Sequence, residues 1–335
     1  MSRITQNPLP QVELGRQGLQ VSAEGLGAMG MSVRYGPRDD GEAMATLNHA
    51  VDLGVTMIDT AEAYGPFKNE RLLGRALRHR RDDVVIATKF GSDYTSEGES
   101  LGRNGRPEHV RRAVERSLRH LGVDAIDLYY LHRVDQDVPI EDTVGAMGDL
   151  VRAGKVRYIG LSEAAPATIQ RAHDTFPLSA VQSEYSLFSR DVESNGVLDK
   201  VRNLGIGFVA FSPLGRGLLS GKFRSLEDLA GDDARRALPR FQRAAFEANL
   251  HVRDRLEAFA HERAMSVTQL ALAWAMARDV VPIPGTKRRD YLEQNVAAAA
   301  FNLTAFDVLH LEELVPARVV MGARDTGEGL KDSYR

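Results

Sequence analysis

The chain has 335 residues, 43% apolar and 27% charged, enough to bury a large core in one big domain or two ordinary ones. Its net charge of −3 gives no global basic field for nucleic acid or a membrane surface, and the absence of cysteine removes disulfides, thiolate metal sites and cysteine nucleophiles. The first fifteen residues hold no apolar core of signal-peptide length, and no apolar run approaches the ~20 residues that span a bilayer, so a cytoplasmic protein is expected.

Residues 10–22 read as a small hairpin turning around 16–18, before a first strand near 23–26. A helix over 42–53 leads to the strand VTMID (55–59), a helix from 69 to about 79, and the strand VVIATK (84–89). The third helix opens at Pro107, a favoured first helical residue, and carries Val110, Val114, Leu118 and Leu121 at helical spacing. Then come the strand AIDLYYLH (125–132), a helix over 140–152, the strand VRYIGLS (156–162) and a helix over 167–173. SAVQSEYS (179–186), a helix over 196–204 and IGFVAFS (206–212) complete seven strands. The stretch 213–248 is long and rich in Gly and Arg, the kind of insertion that covers a ligand more often than it merely connects elements. Helical patterns at 249–263 and 267–278, an eighth strand VVPIPG (280–285) and a helix from Asp290 follow.

Several strands are nearly continuous in apolar residues, the pattern of parallel strands buried on both faces. Eight strand–helix alternations close a barrel or make an open doubly wound sheet. The barrel is favoured because Asp59, Lys89, His132, Ser162 and Ser212 all fall at or just past C-terminal strand ends, where barrels build their sites. The expectation is α/β: one domain over 1–335, a single (β/α)8 TIM barrel with an N-terminal β-hairpin and a long loop after strand 7.

Adjacent strands lie roughly 5 Å apart, so three neighbouring strand ends can gather Asp59, Tyr64, Lys89 and His132 around one point. Carbonyl reduction by hydride needs a proton for the developing alkoxide, and a phenol of ordinary pKa, about 10, is a poor donor near neutrality. Lys89 would lower that pKa for Tyr64, Asp59 would hold Lys89 charged, and His132 would orient the carbonyl oxygen. Singly, such residues are more often caps, core or plain ion pairs. Their meeting on three consecutive strand ends argues for chemistry.

GLGAMGMS (25–32), IDTAEAYG (58–65), NERLLGRAL (69–77), ATKFG (87–91), DLYYLHR (127–133), GKVRYIGLS (154–162), VQSEYSLFSR (181–190), FSPLGRGLLSGK (211–222) and PIPGTKRRDYLEQN (282–295) together resemble an aldo-keto reductase over nearly the whole chain. The resemblance implies a (β/α)8 barrel plugged by its hairpin, and it lays the family's Asp–Tyr–Lys–His tetrad on Asp59, Tyr64, Lys89 and His132. It also implies NADPH as cofactor. Ser162 and Gln182 would hold the carboxamide, although Glu163 stands where many relatives have Asn. Phe211 would stack on the nicotinamide, a role that competes with plain core packing. Ser212, Pro213, Leu214, Gly215, Arg216, Gly217 and Lys222 would wrap the pyrophosphate.

Gly285, Thr286, Lys287, Arg288 and Arg289 precede the last helix, whose N-terminus suits a phosphate. Lys287 with one arginine would take a 2′-phosphate, the alternative being a solvated basic turn. Gln294 and Asn295 match positions near the adenine. GLGAMG satisfies G-x-G-x-x-G, but no helix opens promptly after it, so it reads as the first barrel loop, with Gly27, Ala28 and Met29 near the cofactor. No ligand spacing for a metal is found.

The expected activity is NADPH-dependent reduction of aldehydes and ketones to alcohols, as an NADP-dependent oxidoreductase of the alcohol dehydrogenase (NADP+) type. The alternatives are a pyridoxal reductase and a non-catalytic, cofactor-binding regulatory subunit like the potassium-channel β-subunits. The expected partner is a small-molecule carbonyl substrate, with no nucleic acid and no membrane; oligomeric state is left open. Met29, Met31, Tyr35, Phe67, Phe90, Tyr94 and Arg133 are candidate pocket residues.

Overall fold

Eight short parallel strands share one sheet that curls until its first and last members meet. The computed structural model describes residues 9–95, 97–331 and 333–334, so the reading of the first fifteen residues lies partly outside them. In sheet order the strands are β1 (Leu26–Gly27), β2 (Met57–Asp59), β3 (Val85–Phe90), β4 (Ile126–Leu131), β5 (Val156–Ser162), β6 (Ala180–Glu184), β7 (Gly207–Phe211) and β8 (Val281–Ile283). The ring closes through Gly25 N–H to Pro282 O (3.0 Å) and Gly27 N–H to Pro284 O (3.2 Å). Glycine is required at 27 because a Cβ there would stand 2.9 Å from the Ile283 carbonyl oxygen.

Around the strands run α1 (Asp40–Asp52), α2 (Lys68–Ala76), α3 (Pro107–Leu121), α4 (Ile140–Arg152), α5 (Pro166–Thr175), α6 (Val197–Leu204), α7 (Arg243–His261), α8 (Val267–Ala277) and α9 (Arg289–Val296). The third shows why the pattern works. Pro107 starts it, Gly122 stops it in the left-handed region (φ 67°), and Val110, Ala113, Val114 and Leu121 bury one face.

Period-two alternation divides the core in two. Met57, Ala87, Leu128, Tyr130, Ala180 and Val209 point inward and pack with Leu14, Leu19 and Val21 of the hairpin formed by Gln11–Glu13 and Gln20–Ser22. The hairpin thus fills the base of the barrel, as expected. The outward residues, among them Ile58, Ile86, Tyr129 and Leu161, pack against the helices. No helix among the described residues is long and apolar enough to cross a membrane.

Three elements differ from the sequence reading. The segment after β7 is shorter than expected, because α7 begins at Arg243, and it is built from 3-10 turns such as Gly215–Ser220. A hairpin pairing Ser92–Tyr94 with Ser100–Arg103 follows β3; its second strand is fully exposed, so no apolar alternation announced it. Helix Ala305–Leu314 packs against α7 and α8, and a C-terminal segment reaches back to the barrel mouth through Arg324.

Candidate active site

The alternation that builds the inner core also builds the site. One inward step above Met57, Ala87 and Tyr130 come Asp59, Lys89 and His132, and the corresponding step on the other strands gives Ser162, Gln182 and Phe211. Six residues expected from strand ends therefore share one rim. Asp59 and Lys89 are buried, whereas Tyr64 and His132 are half-buried and face the mouth.

Lys89 sits at the centre. Its three ammonium hydrogens have three acceptors: Asp59 Oδ1, the Thr60 carbonyl (2.8 Å) and the Tyr64 hydroxyl oxygen (3.3 Å). The other Asp59 oxygen accepts from Gln182 Nε2 (2.8 Å). The Tyr64 and His132 rings meet edge to face, with centroids 5.9 Å apart and planes at 83°. Tyr64 is held from behind by backbone, as its carbonyl accepts from Asn69 N–H (3.2 Å). The Asn69 side chain accepts from Thr60 Oγ1 (2.6 Å) and donates to Ala28 O (2.9 Å) and Ser32 Oγ (2.8 Å). It ties the loops after β1 and β2 to the start of α2. Thr60 and Asn69 were not expected. Their signal was slight: one follows Asp59 directly, and the other is a polar residue opening a helix.

One expectation is corrected. The Tyr64 phenol is not lowered but raised: burial is the largest influence, Lys89 opposes it, and Asp59 adds to the rise. Burial weighs against the charged form of Lys89, yet Asp59 and Tyr64 together outweigh it and raise the amine, which stays protonated. His132 lies well below its ordinary range, through burial first and then the charges of Arg133, Lys89 and Arg103. The arrangement is thus a neutral phenol, a fixed ammonium and a neutral imidazole, able to hand one proton to an oxygen between Tyr64 and His132.

The candidate cofactor residues divide in two. Ser162 pairs in register with Gln182, and Phe211 is half-buried above the inner core. Gly27 and Met29 flank the same opening from β1. After β7, Ser212 (φ 50°), Gly215 (φ 56°), Arg216 (φ 58°) and Gly217 (φ 101°) are all left-handed, a tightly curled loop with Pro213 buried and Leu214 packed on the core. Arg216 Nε is buried without a partner, and Lys222 lies 5.6 Å from the Tyr291 ring of α9, with no carboxylate in ion-pair contact among the described residues.

The basic turn is already engaged. Lys287 Nζ donates to the Tyr35 and Pro37 carbonyls (both 2.6 Å), Arg288 pairs with Asp290 (2.7 Å), and Arg289 pairs with Glu42 (3.1 Å). Thr286 is buried and bonds to Arg288, Gly285 is exposed, Gln294 reaches Ser266 Oγ (3.4 Å), and Asn295 is buried.

Glu163 is committed elsewhere. Oε1 accepts from Glu184 N–H (2.9 Å) and Oε2 from Arg324 of the C-terminal segment. Arg324 also faces Glu184 (3.5 Å), and the neighbouring Asp325 accepts from Arg216 (2.8 Å). Of the expected pocket residues, Met31 and Phe90 are wholly buried; Phe90 stacks on Tyr129 (4.7 Å) behind the barrel wall. Arg133 does face the site, donating to the His132 carbonyl (2.7 Å) and Ser162 Oγ (3.1 Å).

The model of the aldo/keto reductase family matches residues 25–316. Among solved structures, the chain is similar to the glycerol dehydrogenase of Gluconobacter oxydans (29% identity, 92% of this chain and 96% of that one, TM-score 0.85). It is also similar to the holo form of an aldo-keto reductase from Bacillus halodurans (29%, 92% and 97%, 0.78). A thermostable aldo-keto reductase in complex with the inhibitor epalrestat matches as well (29%, 91% and 100%, 0.73). The chain therefore belongs to the aldo/keto reductase family, and to the oxidoreductases that act on carbonyls.

Proposed function

We propose that this protein reduces aldehydes and ketones with NADPH and that Tyr64 is the proton donor. The observation that carries the reading is the saturation of Lys89. With its three hydrogens spent on Asp59, Thr60 and the Tyr64 oxygen, Lys89 has none left for a substrate, and the phenolic hydrogen of Tyr64 stays available to donate. Tyr64 arrives protonated, because burial holds its pKa above the ordinary value. As negative charge grows on the substrate oxygen, Tyr64 donates and Lys89 compensates the phenolate left behind. Neutral His132 donates a second hydrogen bond that orients that oxygen.

The dinucleotide supplies the hydride when bound. The residues present suit it: Ser162 and Gln182 for its carboxamide, Phe211 for its ring, and Arg216 with its unpartnered Nε and Lys222 for its pyrophosphate. Lys287 or Arg289 would take a 2′-phosphate only by exchanging its present partners. The test is multiple-turnover oxidation of NADPH, followed by absorbance, against a broad aldehyde panel. Sustained turnover supports the reading. Tight NADPH binding with no turnover on any aldehyde contradicts it and favours a cofactor-binding regulatory protein.

A further inference from the structure

Nearly all buried and half-buried arginines among the described residues come with carboxylates; Arg236, on the open loop after β7, donates instead to the Leu226, Leu229 and Ala230 carbonyls. Arg116 has Glu62 (2.6 Å), Arg216 has Asp325 (2.8 Å), Arg235 has Asp233 (2.7 Å), Arg253 has Asp254 (2.7 Å), and Arg324 has Glu163. Arg133 does not. Its two hydrogen bonds go from Nη1 to neutral oxygens, His132 O and Ser162 Oγ, and among the described residues no carboxylate lies within ion-pair distance of it. Glu163 is near enough to favour its charge, but both Glu163 oxygens are taken by Arg324 and Glu184 N–H. Arg103, from the hairpin after β3, adds positive potential at both His132 and Arg133. A guanidinium drawn out of water without a counter-ion is costly, and here burial pulls its pKa below the ordinary range.

Neither a carboxylate of the described residues nor the expected cofactor supplies that anion. A dinucleotide carries its negative charge on phosphates, for which Arg216 and Lys222 stand at the loop after β7, while the carboxamide beside Ser162 is neutral. What remains at the mouth, next to His132, is substrate. We propose that Arg133 is a specificity-determining residue and that the substrate carries an anionic group, a carboxylate or a phosphate, which its guanidinium binds while the carbonyl lies between Tyr64 and His132. This deepens the carbonyl-reductase reading above and rests on it.

The test compares matched pairs of aldehydes: benzaldehyde with 4-carboxybenzaldehyde, butanal with 4-oxobutanoate, and glyceraldehyde with its 3-phosphate. Each is assayed with NADPH on the wild type, Arg133→Gln and Arg133→Lys. NADPH affinity is measured separately by fluorescence titration. The wild type is expected to favour the anionic member of at least one pair by roughly 10- to 100-fold in kcat/KM, mostly through KM, the scale of a charge-assisted hydrogen bond. Added salt should shrink the preference. Arg133→Gln should bring the ratio close to one, and Arg133→Lys should keep part of it. The carboxylate and phosphate pairs tell the two anions apart. Turnover with no anionic preference in any pair overturns this proposal alone. So does an Arg133→Gln that slows both members of a pair equally, or that weakens NADPH binding while the ratio stands, since the guanidinium then serves the cofactor or the scaffold. Absence of turnover on every aldehyde overturns the reductase reading and this proposal with it.

Discussion

The barrel mouth is divided between two kinds of electrostatics. At the ends of β2, β3 and β4 one buried ion pair, Asp59–Lys89, sits beside the neutral Tyr64 and His132, and each ammonium hydrogen and each carboxylate oxygen has a defined partner. At the ends of β5, β6 and β7 charges crowd together: Glu163, Glu184, Arg216, Arg240, Arg324 and Asp325 bridge segments up to 161 residues apart. The first region holds a proton and the second holds a shape. A single pair leaves Tyr64 free to change charge state beside Lys89. A cross-linked cluster fixes the C-terminal segment and the Arg216 loop against the strands, where the cofactor is proposed to bind.

Variants should separate the two regions. Lys89→Met should have the largest effect, lowering kcat/KM for reduction by ~10²–10⁴-fold. It should also destabilise the fold by about 3–5 kcal/mol, because Asp59 remains buried without its countercharge. Steady-state kinetics and chemical denaturation measure the two losses. Arg324→Ala should reverse the balance. Glu163 loses its charge partner, so a stability loss of about 3–5 kcal/mol is expected. Weaker NADPH binding should accompany it, while the rate with saturating cofactor changes far less; an equal fall in that rate would erase the distinction. Among the described residues Arg289→Ala removes an exposed ion pair with Glu42, so the ratio of NADPH to NADH efficiency should fall roughly 5-fold or less.

The smallest expected effect is that of pH. Raised Tyr64 loses its proton only above its ordinary value of about 10, and lowered His132 gains one only below about 6.5. Wild-type kcat/KM for reduction should therefore stay level between about 7 and about 9. A descending limb inside that window would mean the acid is tuned downward, as the sequence reading expected.

Legibility followed the same division. Asp59, Lys89 and His132 could be read because each ends a strand whose alternation is visible in the chain, and Tyr64 because it lies in the short loop that follows. The loops and tail could not be read this way. Glu163 meets Arg324 only after folding, and no local spacing marks that pair. The exposed strand Ser100–Arg103 has no apolar alternation to betray it. The direction of the Tyr64 shift was missed because Lys89 is visible in sequence and burial is not.

The central claim is that Tyr64 gives the proton, and single-turnover reduction by wild type and Tyr64→Phe, each preloaded with NADPH, tests it most directly. The account expects unchanged cofactor binding and a reduction rate lower by ~10²–10⁴-fold. A Tyr64→Phe rate within a few-fold of wild type would contradict it.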